Sequence, residues 1–277
     1  MISMRRKAKH HFIRTALILT FVAAFLLPIA WMVINSFRSL RDFSTSDFVF
    51  TPTLQNYISV LGKSDFSKYY LNSIVIGLSV IGLTFLIGMP AAYGIGRLRF
   101  RGRNQIAYWI LSTSFGSPIS ALIPYFLLFR NLGLLDNVLA LIIIQTAFFL
   151  PFVVWMMSGF FEEIPRELEE AALIDGCSRF SAFIRVLMPV ALPGLSATAI
   201  ITFIFSWNEF LFAFVLAGVN AKTAPLSVYS YMGAITGQIN WGLLTATGVL
   251  VTLPMLIFAL IVQRNIIRGL TLGAVKS

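Results

Sequence analysis

The stretch NVLALIIIQTAFFLPFVVWMMSGF, residues 137–160, contains no charged side chain and is far longer than a β-strand. About 20 apolar residues in a helix are enough to cross the roughly 30 Å hydrocarbon core of a bilayer. Further apolar stretches of comparable length lie at 15–36, 71–96, 106–129, 191–217 and 241–263. Because no alternating pattern recurs at the spacing of barrel strands, the sequence predicts an all-α polytopic membrane protein with six transmembrane helices.

The composition of the whole chain is also typical of a membrane protein. Of its 277 residues, 58% are hydrophobic and only 12% are charged, and the mean hydropathy is +0.85. A soluble domain carries about 25% charged residues, so this composition excludes that class. The single cysteine, Cys177, excludes an intrachain disulfide and argues against a metal–thiolate site, and we predict no metal site.

A basic leader, MISMRRKAKHHFIR, precedes the first apolar stretch. A secretory signal has an apolar core of about 7–15 residues, whereas this stretch continues from Thr15 to Ile34. The one cleavage-like triplet, Val22-Ala23-Ala24, lies in the middle of it. We therefore predict a retained membrane anchor, with His10 and His11 facing lipid headgroups rather than a metal ion.

The distribution of the 21 Lys and Arg residues predicts the orientation of the chain. In short loops of membrane proteins, basic residues favour the cytoplasmic side. With the N-terminus inside, the basic residues that fall outside are Arg38, Arg41, Lys63, Lys68, Arg130 and Lys222, and all others lie inside. We therefore expect both termini in the cytoplasm. We attribute the net charge of +10 to basic residues that set the orientation and attract anionic lipid headgroups, and not to nucleic-acid binding.

This topology divides the chain into two parts. Residues 1–70 comprise the basic tail, the first transmembrane helix and a polar outer loop. Residues 71–277 comprise a five-helix transmembrane core, in which residues 161–190 form a charged cytoplasmic segment between the fourth and fifth spans.

The first half of the segment 161–190 has the pattern of a short acidic helix. Pro165 suits a first helical turn, and the carboxylates that follow it meet the positive end of the helix dipole. These carboxylates belong to Glu167, Glu169 and Glu170. Gly176 can adopt the left-handed conformation that ends the helix.

The second half has the pattern of an amphipathic helix that Ser178 can cap. Its predicted apolar stripe consists of Phe180, Phe183, Ile184, Leu187 and Met188. Two interpretations of the segment 161–190 remain open. In one, the small side chains of Ala171 and Ala172 let a partner approach, and flanking carboxylates pair with its arginines. In the other, the segment is a solvated connector.

A resemblance to a known family rests on the spacing within this segment. EAALIDG at 170–176 is followed, after nine residues, by VLMP at 186–189. This resembles the EAA loop of permease subunits in binding-protein-dependent ATP-binding-cassette (ABC) importers, where EAA, three residues, Gly and nine residues precede I-x-L-P. Val186 and Met188 stand where that pattern has Ile and Leu, and both replacements are apolar.

The resemblance extends over nearly all of the chain and is weakest in residues 1–70. The matching elements outside the loop are LNS at 71–73, GRLRFRGR at 96–103, WNEF at 207–210 and RGLT at 268–271. The last two are similar to the carbohydrate branch related to maltose-importer permeases.

The resemblance implies a type I ABC importer permease in a bacterial-type plasma membrane. The coupling loop would fit a groove on a cytoplasmic ATPase subunit and transmit its motion as alternating access. Its implied residues are Glu169, Glu170, Ala171, Ala172, Asp175, Gly176 and Pro189. The implied partners are two ATP-binding subunits, a second permease in a heterodimer with this chain, and an extracytoplasmic solute-binding protein.

The energy for transport must come from such a partner, because no G-x-x-x-x-G-K-[ST] phosphate loop occurs in the sequence. We therefore expect a chain that is not an enzyme and holds no cofactor, with ATP and Mg²⁺ bound by the ATPase subunits. The implied cargo is a sugar or a related polyol or oligosaccharide.

Glu209 is the one acidic residue inside a predicted span. Such a residue normally faces a partner group or a wet cavity, because an unpaired charge in hydrocarbon is costly. Two roles stay open for it: holding a neighbouring helix, or lining the substrate path. Asn208 and Gln145 are further candidates for the path, and each can instead serve as an interhelical hydrogen-bonding group.

Two other classes compete with the importer interpretation. A stand-alone secondary transporter or channel would be expected to carry several intramembrane charges or repeated halves with broken helices. An intramembrane enzyme would be expected to carry a motif such as GxSxG or HExxH, and neither occurs. Co-purification of an ATPase separates the importer from both.

Overall fold

The computed structural model of the protein describes residues 2–43, 50–63, 65–114, 116–232 and 239–273. Side chains are described from Arg14 to Leu260 within these ranges, Lys63 and Ala259 excepted. The predictions for His10, His11, Arg264, Arg268 and Lys276 therefore lie outside the described part of the molecule.

Every regular element in the described ranges is a helix, which confirms the predicted fold class. The helices are α1 (Ile2–Ser36), α2 (Gln55–Lys63), α3 (Phe66–Arg97), α4 (Arg103–Thr113), α5 (Pro118–Asn131), α6 (Val138–Glu163), α7 (Arg166–Ile174), α8 (Arg179–Ala182), a π-helix (Phe183–Leu187), α9 (Met188–Val190), α10 (Leu192–Asn208), α11 (Leu211–Leu216), α12 (Ala224–Tyr229) and α13 (Trp241–Gly273).

Among the described residues, four helices are long and apolar enough to cross a membrane unaided. They are Arg14–Ser36, Phe66–Arg97, Val138–Glu163 and Trp241–Phe258. Each coincides with a predicted span. Two bent pairs of helices raise the number of candidate spans to six, if each pair crosses once. They are Arg103–Thr113 with Pro118–Asn131, and Arg179–Val190 with Leu192–Asn208, the latter bent by 76°.

The predicted span at 106–129 is not one continuous helix. α4 and α5 meet at 82°, because Pro118 opens α5 and the preceding Ser117 is extended, with ψ of 121°. The predicted span at 191–217 is also divided. α10 ends where Glu209 becomes extended, with ψ of 118°, and α11 begins at Leu211.

The chain forms two compact units, of which the first consists of Met1–Phe66 and Val228–Thr252. In this unit Asn56 of α2 donates from Nδ2 to the carbonyls of Ser36 and Arg38, at 2.9 and 2.8 Å. The hydroxyls of Ser36 and Tyr57 lie 2.6 Å apart. A Cβ on Gly242 would lie 2.8 Å from the Asn56 side chain, so glycine lets α13 approach α2 closely.

The second unit consists of Ser67–Ser227 and Leu253–Ser277, and α6 runs through its core. One half of α6 packs in a cluster with Phe129 of α5 and Phe212 of α11. The other half packs in a cluster with Phe183 and Leu187 from the segment 161–190. The predicted cytoplasmic segment is therefore built directly onto the central helix.

Candidate functional site

Arg97, the last residue of α3, attaches the start of α7 to the bundle. Its guanidinium donates from Nη1 to the carbonyl of Ile164 at 2.7 Å and from Nη2 to the carbonyl of Pro165 at 3.1 Å. Its Nε lies 3.1 Å from Oε2 of Glu169, and only 2% of the arginine side chain is exposed. A buried guanidinium requires such partners, because an unpaired charge there is costly.

Tyr93, one turn before Arg97 on the same face of α3, completes this contact. Its hydroxyl donates to Oε1 of Glu169 at 2.6 Å. Its ring lies 4.9 Å from the ring of Phe183 and 6.3 Å from the ring of Phe161. We call Tyr93, Arg97 and Glu169 the latch. These contacts occupy both carboxylate oxygens of Glu169 within the chain.

The other residues predicted for coupling divide between the inside and the outside of the unit. Ala172 is buried, whereas Glu170, Ala171, Asp175 and Pro189 are exposed. Large apolar side chains are exposed beside them: Leu168, Ile174, Phe180 and Ile184. Ile174 is 86% exposed and Phe180 is 72% exposed, so the segment presents an uncovered apolar surface next to free carboxylates.

The end of α7 confirms the predicted role of Gly176, whose φ is 85°. Gly176 N–H donates to the carbonyl of Leu173 at 3.1 Å, and Cys177 N–H donates to that of Ala172 at 3.0 Å. These are the bonds of a Schellman ending. The hydroxyl of Ser178 then accepts the N–H of Ser181 at 3.2 Å, which confirms its predicted capping role.

The predicted apolar stripe of the second helix is only partly correct. Phe183 and Leu187 are buried, but Phe180 and Ile184 are exposed. Phe180 precedes the π-helix Phe183–Leu187, but Ile184 lies within it, and there the π-helix is the cause. It contains more residues per turn than an α-helix, so a stripe drawn with α-helical periodicity drifts away from the core.

The three candidates for the substrate path lie at the break between α10 and α11. Glu209 accepts the N–H groups of Phe212 at 2.7 Å and Ala213 at 3.2 Å, so its carboxylate caps α11. Gln145 is fully buried; it lies 3.4 Å from Glu209 and accepts the hydroxyl of Ser206 at 2.5 Å. The side chain of Asn208 is exposed and donates to Ile204 of its own helix at 2.9 Å.

Asp136, in the loop between α5 and α6, forms a second carboxylate-centred contact. It has φ of 56° and accepts the backbone N–H groups of residues 218–221, at 2.8 to 3.1 Å. Burial raises the pKa of Asp136, but these N–H groups outweigh that effect and lower the pKa to about 2. We call this contact the staple, since it joins two loops distant in sequence.

From the sequence, Arg97 is one of the basic residues expected on the cytoplasmic side, and neither Tyr93 nor Asp136 is a candidate site residue. The spacing of Tyr93 and Arg97, four residues apart on one helix, places them on one face and is a usable signal. Asp136 follows Gly133 in a short loop, where aspartate tolerates a positive φ. Nothing in the local sequence, however, indicates that its partners lie at 218–221.

Comparison with known proteins agrees with this architecture. A family model described as "Binding-protein-dependent transport system inner membrane component" matches residues 84–272. The chain is 37% identical over 261 residues to a probable ABC transporter permease protein of Sinorhizobium fredii, covering 94% of this chain and 92% of the relative. It is 36% identical over 255 residues to the trehalose/maltose transport system permease protein of Thermococcus litoralis, covering 91% of each.

A solved structure gives the same result. The crystal structure of a bacterial ABC transporter involved in the import of the acidic polysaccharide alginate matches with a TM-score of 0.78 and 26% identity, covering 94% of this chain and 97% of that chain. The family resemblance noted in the sequence is therefore confirmed, and the chain is a transport permease rather than an enzyme. It belongs to the family of inner membrane components of binding-protein-dependent transport systems.

Proposed function

We propose that this permease imports a sugar or a related polyol or oligosaccharide. The support comes from relatives that match along their length. The relative from Thermococcus litoralis is named for trehalose and maltose, and one from Mycobacterium tuberculosis, 36% identical over 253 residues, is named for trehalose. A relative from Streptomyces coelicolor, 31% identical over 264 residues, is named for diacetylchitobiose. Each of these names contains a small carbohydrate.

Import by this chain would require further subunits. We propose two cytoplasmic ATPase subunits, which bind ATP and Mg²⁺, a second permease in a heterodimer with this chain, and an extracytoplasmic solute-binding protein. Both termini and the segment 161–190 would face the cytoplasm, and residues 71–277 would form the permease core. The absence of a phosphate loop in the sequence supports a separate ATPase.

The surface for that ATPase is the exposed side of the segment 161–190. One observation carries this proposal: the latch fixes Glu169 and the start of α7 to the bundle, while Ile174 and Phe180 beyond it stay uncovered. A short helix fixed at one end and apolar on its outer side can dock in a partner groove and transmit its displacement. In this arrangement Glu170 and Asp175 are available to arginines of the ATPase.

For Glu209 and Gln145, at the break between α10 and α11, we propose a structural role. Glu209 caps α11 and approaches Gln145, so both side chains hold the two parts of the fifth span together. This favours the structural alternative for Glu209 over a place on the substrate path.

The proposed function is tested by co-expressing the chain with candidate ATPase and permease subunits from the same organism. We expect the ATPase to co-purify, and we expect proteoliposomes to take up radiolabelled trehalose or maltose only with ATP inside and a binding protein outside. Isothermal calorimetry on that binding protein identifies the cargo independently. Uptake by the chain alone, without ATP, would support the stand-alone transporter instead.

Orientation is tested separately with Cys177, the single cysteine. A membrane-impermeant maleimide added to intact cells should leave Cys177 unmodified, whereas inverted membrane vesicles should be labelled. Labelling of intact cells would place the segment 161–190 outside and remove the ATPase-docking proposal.

A further inference from the structure

A basic cavity lies between the end of α3 and the segment 161–190. Its volume is about 460 Å³, and its lining includes Arg97, Arg99, Arg166, Glu169 and Arg179. Arg97 and Glu169 neutralise each other in the latch. The remaining three guanidiniums come from three separate places in the chain: the loop after α3, the first residue of α7 and the first residue of α8.

These three arginines are not neutralised within the described residues. Arg97 and Arg103 form ion pairs there, with Glu169 and Glu162, whereas Arg99, Arg166 and Arg179 form none. All three are exposed. The one other carboxylate on the cavity lining belongs to Glu170, so a positive excess remains. Guanidiniums converging on one cavity suit an anion with several oxygens, which accepts paired N–H donors.

The cavity adjoins a second one, because Arg99 and Phe100 line both. The second cavity, of about 520 Å³, is formed by the loop and helix start at residues 99–105. Gly102, with φ of 88°, shapes this turn. The helix α4 that follows has no buried residue, and its Tyr108 and Trp109 are 72% and 76% exposed. Exposed Trp and Tyr next to basic residues are typical of the headgroup level of a membrane.

We propose that the cavity of Arg99, Arg166 and Arg179 binds the phosphodiester headgroup of an anionic phospholipid at the inner surface of the membrane. This rests on the cytoplasmic placement of the segment 161–190 in the proposed function. The aromatic side chains of α4 would lie at the level of that headgroup, beside its acyl chains. A lipid is favoured over an acidic side chain of the ATPase because the start of α4, which lines the adjoining cavity, leads within two helical turns to the exposed Tyr108 and Trp109.

A bound headgroup would connect the loop after α3 to both helices of the segment 161–190. The latch holds the start of α7, and the lipid phosphate would add a second attachment that reaches α8 through Arg179. Anionic lipid is therefore expected to strengthen the transmission of ATPase motion to the bundle, beyond its general attraction to basic loops.

Native mass spectrometry of the purified chain in detergent, titrated with phosphatidylglycerol or phosphatidylcholine, tests this binding. The wild type should retain phosphatidylglycerol in preference to phosphatidylcholine. The triple variant Arg99→Gln, Arg166→Gln, Arg179→Gln should bind phosphatidylglycerol about a hundredfold more weakly, because each basic residue near an anionic surface contributes to binding. Arg97 is left unchanged, because it holds the latch.

The matched control is the triple variant Arg14→Gln, Arg130→Gln, Arg185→Gln, which removes the same charge from exposed positions outside the cavity. It should bind phosphatidylglycerol like the wild type. Equal losses in the two triple variants, or equal retention of both lipids, would overturn the proposal. A thermal melt of each variant separates loss of binding from loss of folding, and replacement of the three arginines by lysine should give an intermediate affinity.

Two further outcomes identify another ligand and also overturn the proposal. If millimolar inorganic phosphate displaced phosphatidylglycerol from the wild type, the cavity would bind a free phosphate. If the glutamine variant kept the lipid but lost the co-purifying ATPase, the arginines would bind that subunit. Because binding in detergent does not depend on orientation, labelling of Cys177 distinguishes a failure of the proposed topology from a failure of this site.

Discussion

Helices α5 and α7 end in the same way, but the regions around these ends are held differently. Each is followed by a glycine with positive φ, 67° at Gly133 and 85° at Gly176. In each, the N–H after the glycine donates to the carbonyl five residues earlier, at 2.9 Å after Gly133 and 3.0 Å after Gly176. The two helices therefore end with the same motif, which the local sequence determines.

What differs is how each end is attached to the rest of its unit. The loop after α5 is closed by the staple, in which Asp136 takes up the backbone N–H groups of residues 218–221. At α7 the latch binds Glu169 near the start of the helix, and Ile174 at its end stays exposed. The first end is satisfied within the chain, whereas the second belongs to the surface that we propose for a partner. The difference indicates that equal damage at the two ends should have unequal effects on transport.

The largest expected difference comes from Gly176→Asp compared with Gly133→Asp. Both substitutions force a side chain into a left-handed conformation, and neither added Cβ meets an atom within 4 Å. We expect Gly176→Asp to lower ATP-driven uptake about tenfold or more, because coupling energies between sites are about 1–3 kcal/mol. Gly133→Asp should retain most uptake. The measurement is uptake in proteoliposomes at matched amounts of assembled protein.

The same comparison can contradict the docking proposal. If both variants lost uptake equally, the left-handed ending rather than the partner surface would explain the loss. If Gly176→Asp, or joint replacement of Glu170 and Ala171, left uptake unchanged at wild-type expression, the segment 161–190 would be the solvated connector.

The latch provides the next largest effect. Replacing Arg97 with Ala leaves two backbone carbonyls without their donor and leaves Glu169 with Tyr93 but without its ion-pair partner. Removing one partner of a buried ion pair costs about 3–5 kcal/mol. We expect a lower thermal midpoint in detergent and weaker coupling of ATP hydrolysis to uptake. Arg97→Lys keeps the charge but not the forked geometry, and should be intermediate.

Arg101→Ala is the control, because Arg101 is exposed four residues along the same basic run. Its thermal midpoint should stay close to that of the wild type. If Arg97→Ala and Arg101→Ala behaved alike, the run RLRFRGR would act only as a topological signal.

The two ends also show which parts of the molecule the sequence determines. Apolar length predicts the spans, and local chemistry predicts the cap at Ser178 and the ending at Gly176, because each depends on a few neighbouring residues. The latch and the staple join residues far apart in sequence, Tyr93 to Glu169 and Asp136 to residues 218–221. Such contacts require the packing of the helices to be known. The π-helix at Phe183–Leu187 is missed for a different reason: the apolar pattern is compared with the spacing of an α-helix.

The staple should affect stability more than coupling. Asp136→Asn removes the charge that accepts the N–H groups, and hydrogen bonds to charged groups contribute about 1.5–3 kcal/mol each. We expect a lower thermal midpoint but a normal ratio of ATP hydrolysed to cargo transported. The pKa of Asp136 is lowered to about 2 from 3.8 in the unfolded chain. Its contribution is therefore present above about pH 4 and is lost as the pH falls through about 2.

The direction of this pKa shift provides a test of the staple. The difference in thermal midpoint between wild type and Asp136→Asn should be constant from pH 5 to 8 and should shrink below about pH 4. A difference that changed between pH 6 and 7 would point to another titrating group.

The smallest effect is expected at Glu209, where the fifth span is broken. Glu209→Gln keeps one acceptor oxygen for the N–H groups of Phe212 and Ala213, so the cap on α11 is weakened by about 1 kcal/mol rather than lost. Uptake should fall by about fivefold at most, with an unchanged apparent KM for the cargo, because a cap acts on helix geometry and not on a bound sugar. Asn208→Ala, at the neighbouring exposed position, is the matched control and should behave like the wild type. A raised KM in either variant, with assembly intact, would return both residues to the substrate path and replace the structural role that the hydrogen bonds of Glu209 support.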